Sequence, residues 1–384
     1  MIENGPFLAR THSGLEPLLK KEIEAAGVEH AQMLEDGVQF FADEEPLYRF
    51  LLRTSVCTAF DLVLAPPLLI ADLNVDTLAE RVNWPEVIPQ QAVFEVRAEQ
   101  HGATGEGIRV LAEETQKKII SIYEGIGQLP PVPAGPEMPP EFVIRLYIDS
   151  QQRIHTGLAV GGSPLTNRAL VDEQNGGRLS PAIASGILQL SGWDPQTTLI
   201  DPFAADGTIL IEAARIAKNR PPAIDDDAYL IKKWRTFRHV LWKRLREEHI
   251  PKIRKDVNWV LGSDVDQKDL QGIHYKLKKL RLTENVRIRK SRAYDIYYPK
   301  APGFVVTSPP PGIPVRVIES FAETAKKFAG GYSICLFTPL HNMDSMMNMK
   351  PDESRMIRFG DREFSFLKFS VFKKRSHGQG EKKE

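Results

Sequence analysis

The chain has 384 residues, 42% apolar and 26% charged, long enough for two or three domains with cores of their own. No apolar run reaches the length of a membrane span, because charged residues interrupt every one. The two cysteines, Cys57 and Cys335, lie far apart in apolar segments, which excludes a disulfide framework and a cysteine-based zinc site.

The start, Met-Ile-Glu-Asn-Gly-Pro, has neither the basic nor the apolar part of a signal peptide, so a cytoplasmic location is expected. The net charge of zero hides a division. Residues 1–165 carry 12 Lys and Arg against 24 Asp and Glu, and residues 166–384 carry the remaining 38 against 26. A polyanion is drawn to the second half and mildly repelled by the first.

Residues 15–26 read as an amphipathic helix with Leu15, Leu18, Leu19, Ile23 and Ala26 on one face. Residues 37–41 read as a strand and 47–64 as a second helix. A second module follows, with helix 75–82, strand 93–98, helix 109–123 and two strands over 142–149 and 154–160. Between them, residues 125–141 hold so many prolines and glycines that they read as an exposed loop. From about residue 166 apolar strands alternate with helices. The strands are 198–201, 259–264, 304–307 and 332–337; the helices are 181–190, 209–217, 268–280 and 315–328. That alternation predicts a mostly parallel sheet covered on both faces. Residues 364–372 read as a closing antiparallel strand, and the Lys-, Gly- and Glu-rich end as disordered.

The most specific string is Asp201-Pro-Phe-Ala-Ala-Asp-Gly-Thr-Ile-Leu-Ile-Glu-Ala-Ala214. A strand ending in Asp, a small-residue loop and a helix start make the first turn of a nucleotide-binding α/β fold. The string closely resembles the corresponding run of THUMP-linked RNA guanine-N2 methyltransferases, which use S-adenosylmethionine (SAM). The resemblance extends along the chain. Residues 14–22 and Leu52-Arg-Thr54 look like the family's ferredoxin-like module, 155–168 like the last THUMP strand and its exit, and 177–184 like the helix leading into the catalytic domain. It implies a ferredoxin-like module over 1–65, a THUMP domain over 66–165, a Rossmann-like methyltransferase domain over 166–375 and a tail over 376–384.

By this resemblance Asp201, Ala204, Ala205, Asp206, Gly207 and Thr208 would hold the cofactor's methionine end. Asp264, in Gly262-Ser-Asp-Val-Asp266, would receive the ribose hydroxyls; the bland alternative is that Asp264 or Asp266 only caps the next helix. The fourth motif, Ser308-Pro309-Pro310-Pro311, stands where amino-group methyltransferases clamp the flipped base.

The sequence departs from the family at four places in the cofactor loop, the adenine contact and the base clamp, and again in the exit motif. Ala205 replaces the first loop glycine, a methyl group that is either tolerated or costs cofactor affinity. Asp206 adds a negative charge there. Arg292 falls where an Asp near the adenine is usual, unless the alignment slips to Asp295. Pro311 replaces the aromatic that stacks on the base, a loss of roughly 1–3 kcal/mol. The Gly-Tyr-Arg that commonly follows Arg168 in relatives is Ala-Leu-Val171 here.

Lys232, Lys233, Arg235, Arg238, Lys243, Arg244 and Arg246 are predicted on one helix, and a second basic cluster runs from Lys276 to Arg292. The charge excess favours a phosphate-binding surface there over a merely solvated face. Trp234 and Trp242 read as core residues. In the acidic half any RNA contact must be local, at Lys117 or Lys118, or at Arg145; Arg168 is a further point at the junction. The sequence thus implies SAM-dependent methylation of a guanine N2 amino group in structured RNA, rRNA or tRNA. The alternative is a catalytically inactive methyltransferase-fold protein that binds RNA or serves ribosome assembly. Neither a metal nor a membrane is implied.

Overall fold

The computed structural model describes residues 5–35, 37–100, 106–161, 165, 179–224, 229–359 and 362–372, which form two sheets over a shared core. The first part runs β1 (Pro6–Arg10), α1 (Glu16–Ala25), β2 (Ala31–Leu34), β3 (Gly37–Phe41), α2 (Glu44–Arg53), β4 (Ala59–Leu69), α3 (Val75–Glu80) and α4 (Trp84–Val87). It continues through β5 (Val93–Gln100), α5 (Glu106–Gly125), β6 (Val132–Pro133), β7 (Phe142–Ile148) and β8 (Arg153–Ala159). The strands form one sheet in the order β2-β3-β1-β4-β8-β7-β5-β6. Strand β4 crosses residue 65 and pairs antiparallel with β1 on one side and β8 on the other.

The second part runs α6 (Pro181–Ser191), β9 (Thr198–Asp201), α7 (Thr208–Ala217), α8 (His239–His249), β10 (Val260–Asp264), α9 (Gln267–Lys279) and β11 (Val286–Lys290). It ends with β12 (Gly303–Thr307), α10 (Val315–Phe328), β13 (Tyr332–Thr338), α11 (Met343–Met347), β14 (Glu353–Phe359) and β15 (Arg362–Ser370). Its order is β11-β10-β9-β12-β13-β15-β14, with the first five strands parallel and the last two antiparallel. This is the Rossmann-like, mostly parallel sheet expected. Local signals set its first helix: the Ser180 hydroxyl accepts from Ile183 N, Pro181 sits at the first position, and Gly192 ends it at φ +69°. The strand order reverses between β9 and β12, which opens a crevice at their carboxyl ends.

Four expectations are corrected. The helix expected over 47–64 stops at Arg53, and 59–69 is strand; that strand is central and buried on both faces in its first half, so its apolar run shows no alternation. The proline-rich 125–141 segment contributes the short β6, because Val132 N and Ala134 N donate to Ala92 O and Phe94 O while Pro131 and Pro133 fall where no donor is needed. The basic helix expected over 232–246 is broken: the backbone is extended at Trp234, and α8 starts only at His239. Strands β1, β2, β11 and β14 had no counterpart in the sequence reading.

The two parts are tightly docked. Tyr48 of α2, 1% exposed, packs its ring on Phe237 and Trp242, and its hydroxyl accepts from Arg238 N at 3.0 Å. Leu15 fills the space above Gly186 of α6, where an added Cβ would come within 2.7 Å of it. Arg358 N donates to Ser13 O and Ile231 N to Val160 O. Because one aromatic cluster belongs to both parts, Tyr48→Ala should cost about 3–5 kcal/mol, as for other buried aromatics. Urea unfolding followed by tryptophan fluorescence and by circular dichroism should show one transition moved to lower urea; two separate transitions, only one of them moved, would contradict shared stabilisation.

Candidate active site

Strand β9 ends on Asp201, which is 1% exposed. Its Oδ1 accepts from the Thr307 hydroxyl at 2.6 Å, at the end of β12, and from Phe203 N at 3.3 Å. Burial, reinforced by the nearby Asp264 and Asp206 charges, pushes the Asp201 carboxyl up to about 7; the two hydrogen bonds offset part of this.

The loop that follows is held from three sides. Ala204 N donates to Ser263 O of β10 at 3.0 Å, and Gly207 N closes a turn on Ala204 O at 2.7 Å. Ala205 stands at φ +46°, a conformation natural to glycine, and its N–H donates to Asp264 Oδ2 at 2.8 Å. Asp206 does not present a free charge to the crevice. Its Oδ1 accepts from Thr208 N and Oγ1, and Lys276 Nζ of α9 donates to its Oδ2 at 3.1 Å and its carbonyl at 2.9 Å. Both partners of that ion pair are buried. Gly207 starts α7 at φ +81°, where an added Cβ would lie 2.7 Å from Ile273 Cγ1.

Asp264 also accepts from Asp266 N at 3.0 Å, while Asp266 itself caps α9 through Lys268 N. Ser291 N donates to Asp264 O, which brings the end of β11 beside it. There Arg292 Nε donates to Asp295 Oδ2 at 2.6 Å and the guanidinium lies over the Tyr294 ring. The two alternative adenine-side residues are thus one exposed ion pair. After Thr307, Ser308 is half-buried and Pro309 buried, while Pro310 and Pro311 are exposed. Ile313 N donates to Pro310 O at 3.3 Å with Gly312 at φ +79°, so 310–313 form a tight turn.

The model for RMKL-like methyltransferase domains (UPF0020) matches residues 168–364, over half of the chain, and that for the RlmL ferredoxin-like domain matches residues 6–55. The chain belongs to the RMKL-like methyltransferase family. Its fold is also that of a possible methylase from Clostridium difficile 630, at 20% identity, covering 97% of this chain and 99% of the other, with a TM-score of 0.83. SMU.472, solved in complex with SAH, matches at 19% identity over 97% and 100% of the two chains, with a TM-score of 0.83. TrmN from Thermus thermophilus matches at 19% identity over 96% and 99%, with a TM-score of 0.66.

SAM is the cofactor of this methyltransferase fold, and the residues present suit it. A carboxylate offers about four acceptor positions, and for Asp264 two are taken by Ala205 N and Asp266 N, which leaves room for ribose hydroxyls. Lys276 pairs with Asp206, and burial pushes Asp201 toward its neutral form, so Asp264 is the carboxylate whose charge favours a ligand bearing a sulfonium and an ammonium.

The expected RNA-contact residues are placed unevenly. Lys117, Lys233 and Arg235 are exposed. Lys118 pairs with Asp76 at 2.6 Å, Arg238 with Glu44 at 2.9 Å, and Lys232 lies over the Trp242 ring. Arg145 is buried against Asp61 and Glu99, so it is removed as a contact point. Arg168 lies outside the described residues. Trp234 and Trp242 are buried, as expected. Two residues that hold the candidate site were not expected from the sequence: Thr307, whose signal was its place before the Ser-Pro-Pro run, and Lys276, which sat in a run of basic residues.

The site generates two predictions. A carboxyl whose folded value is raised from 3.8 to about 7 makes the folded state bind the proton more tightly, so stability falls as pH rises between those values. Asp201→Asn lacks this slope. The stability of the wild type relative to Asp201→Asn should therefore decline by up to about 1.4 kcal/mol per pH unit between pH 5 and 7 and level off above, read by urea unfolding; a constant difference would show that Asp201 titrates normally. The loop gives opposite signs two residues apart. Ala205→Gly should be neutral or stabilise by up to about 1 kcal/mol, since it removes left-handed strain, whereas Gly207→Ala should cost about 1–3 kcal/mol from strain plus overlap with Ile273. Equal thermal shifts for the two would refute the loop geometry.

Proposed function

We propose that the chain is a SAM-dependent methyltransferase whose acceptor is a guanine N2 amino group in structured RNA, rRNA or tRNA. The observation that carries this reading is the Thr307–Asp201 hydrogen bond, which ties the cofactor loop to the start of Ser308-Pro309. Loop and motif are then fixed at one crevice, the arrangement a methyl transfer to an exocyclic amine needs.

When bound, SAM supplies a methyl group on a strongly electrophilic sulfonium. In this reading the Ala204–Thr208 backbone and Asp264 seat the cofactor, and Asp201 holds the loop from beneath. The Ser308 hydroxyl and the Pro309 carbonyl accept hydrogen bonds from the substrate amino group and turn its lone pair toward the crevice. Little general-base chemistry is required, since the amine sheds its proton readily once alkylated and positioning supplies much of the rate. Pro310 and Pro311 shape a rigid exposed turn at the mouth, and Arg292 with Asp295 forms the adenine-side rim. The RNA acceptor is supported by the likeness of residues 14–22, 155–168 and 201–214 to THUMP-linked RNA methyltransferases. It is supported as well by the positive excess of residues 166–384, of which Lys233 and Arg235 are exposed near the junction. Within this reading residues 66–165 act as the THUMP module.

The experiment pairs calorimetry with tritium transfer from labelled SAM to total RNA. SAM should bind with micromolar affinity, about 8 kcal/mol. Ser308→Asn with Pro311→Tyr should raise transfer by up to about two orders of magnitude, because a stacking face and an amide acceptor are restored. No heat at millimolar SAM would put the catalytically inactive RNA-binding alternative first, and a fall in transfer on Pro311→Tyr alone would overturn the placement of the clamp.

A further inference from the structure

Three of the twelve cations of the acidic half lie together. Of the five Lys and Arg residues in 1–65, three, Lys21, Arg49 and Arg53, line a cleft of about 340 Å³ between α1 and α2 on one side and α6 and α7 on the other. Arg215 and Arg220 face them from the methyltransferase domain. The cleft is at the C-terminal end of α7, about 15 Å along a ten-residue helix from the loop at its start. It is a separate place from the cofactor crevice.

Among the described residues two carboxylates line the cleft, and both already have partners. Glu22 accepts from Thr54 Oγ1 at 2.8 Å, from Ser55 N and Oγ, and from Gln189 Nε2 at 3.2 Å. Glu212 is buried, accepts from Ser185 Oγ at 2.7 Å and stands 3.9 Å from Arg215 Nε. Arg49 is drawn to Glu45 and Glu248 at one edge. Among the described residues, Arg53 by contrast is exposed and reaches only the neutral Asn219 amide oxygen, at 3.4 Å, and Lys21 is exposed at the mouth. The positive field is felt next door: burial first, then the Arg53, Lys252 and Arg49 charges, hold His249 below its usual value. Guanidinium groups converge here from two domains; Arg49 and Arg215 already neutralise neighbouring carboxylates, and Arg53, held only by a neutral amide, leads a cluster that matches a tetrahedral oxyanion through paired N–H donors.

We propose that this interdomain cleft binds a phosphate group, presented by an RNA backbone or as free inorganic phosphate. An RNA strand seated there would bridge the two halves and give the acidic half its local point of contact. The test uses the full chain, its Arg53→Ala/Arg220→Ala variant and, as a milder surface change that spares packing, Lys21→Ala. Thermal unfolding is compared in potassium phosphate and in potassium chloride of equal ionic strength, and binding of an RNA hairpin is titrated across salt concentrations. Phosphate should stabilise the wild type beyond chloride, and the double variant should lose at least tenfold in phosphate affinity, with Lys21→Ala in between. If RNA is the source, the salt slope of hairpin binding should fall by about one for each backbone phosphate that the variant no longer neutralises. An unchanged slope with abolished phosphate binding assigns the cleft to free phosphate. The proposal is overturned if phosphate stabilises no more than chloride, or if its effect survives all the substitutions. SAM affinity, measured in parallel, should be unchanged in every variant, so a failure of the methyltransferase reading would show itself separately.

Discussion

The hydrogen bond from the Thr307 hydroxyl to Asp201 joins β9 and β12 where the strand order reverses, and both functional loops hang from it. Backbone pairing between these strands aligns Gly303 with Thr198 and Val305 with Ile200, but stops short of the carboxyl ends. Beyond that point the chains diverge, one into the 204–208 loop and the other into the proline turn. Without a further tie, their separation would depend on two loops alone. A buried carboxylate is a costly tie, and its raised titration reflects that cost. An apolar pair would pack there at least as well. What the polar pair adds is a fixed direction, since Thr307 immediately precedes the residue that would orient the substrate amine.

The opposite charges of the two halves look, in sequence, like a device for attracting a polyanion to one of them. Part of that charge is spent inside the molecule. Arg238 meets Glu44, Arg244 meets Glu45, and Arg49 meets Glu248, all between α2 and the region of α8. These pairs are partly exposed and contribute little to stability individually. Docking strength comes instead from the Tyr48, Phe237 and Trp242 cluster beneath them. The ion pairs do what rim charges do in other interfaces, which is to fix the orientation in which the aromatic surfaces meet. The basic residues left for an external anion are correspondingly fewer than the sequence count suggests.

What could be read without coordinates follows from the range of the forces involved. Helices α6, α7 and α10 were legible because caps, prolines and apolar spacing are local, and the Asp201–Ala214 run was legible because strand, loop and helix are contiguous. Strand β4 was misread because burial on both faces erases the alternation that distinguishes strand from helix. Lys276 looked like one more surface cation, and only the packing of α9 on α7 turns it toward Asp206. The phosphate cleft was invisible for a related reason. Lys21, Arg53 and Arg220 are scattered over two hundred residues, and nothing local marks them as neighbours.

The departures of the cofactor loop are less disordered than they look as isolated letters. Alanine in the left-handed region at 205 costs roughly 1–2 kcal/mol. Its N–H, however, donates to the Asp264 carboxylate, and a hydrogen bond to a charged group contributes roughly 1.5–3 kcal/mol. An uncompensated carboxylate buried at 206 would cost several kcal/mol, but Lys276 reaches it with two hydrogen bonds from the neighbouring helix. Drift in a site that had lost its purpose would leave polar atoms stranded as substitutions accumulated. Among the described residues, buried side-chain atoms without partners do occur, Ser263 Oγ beside the loop being one. None belongs to Asp201, Asp206 or Asp264. The two residues that depart from the resemblance, Ala205 and Asp206, are each met by a partner on β10 or α9, so the backbone shape around the ligand site is held with these side chains in place.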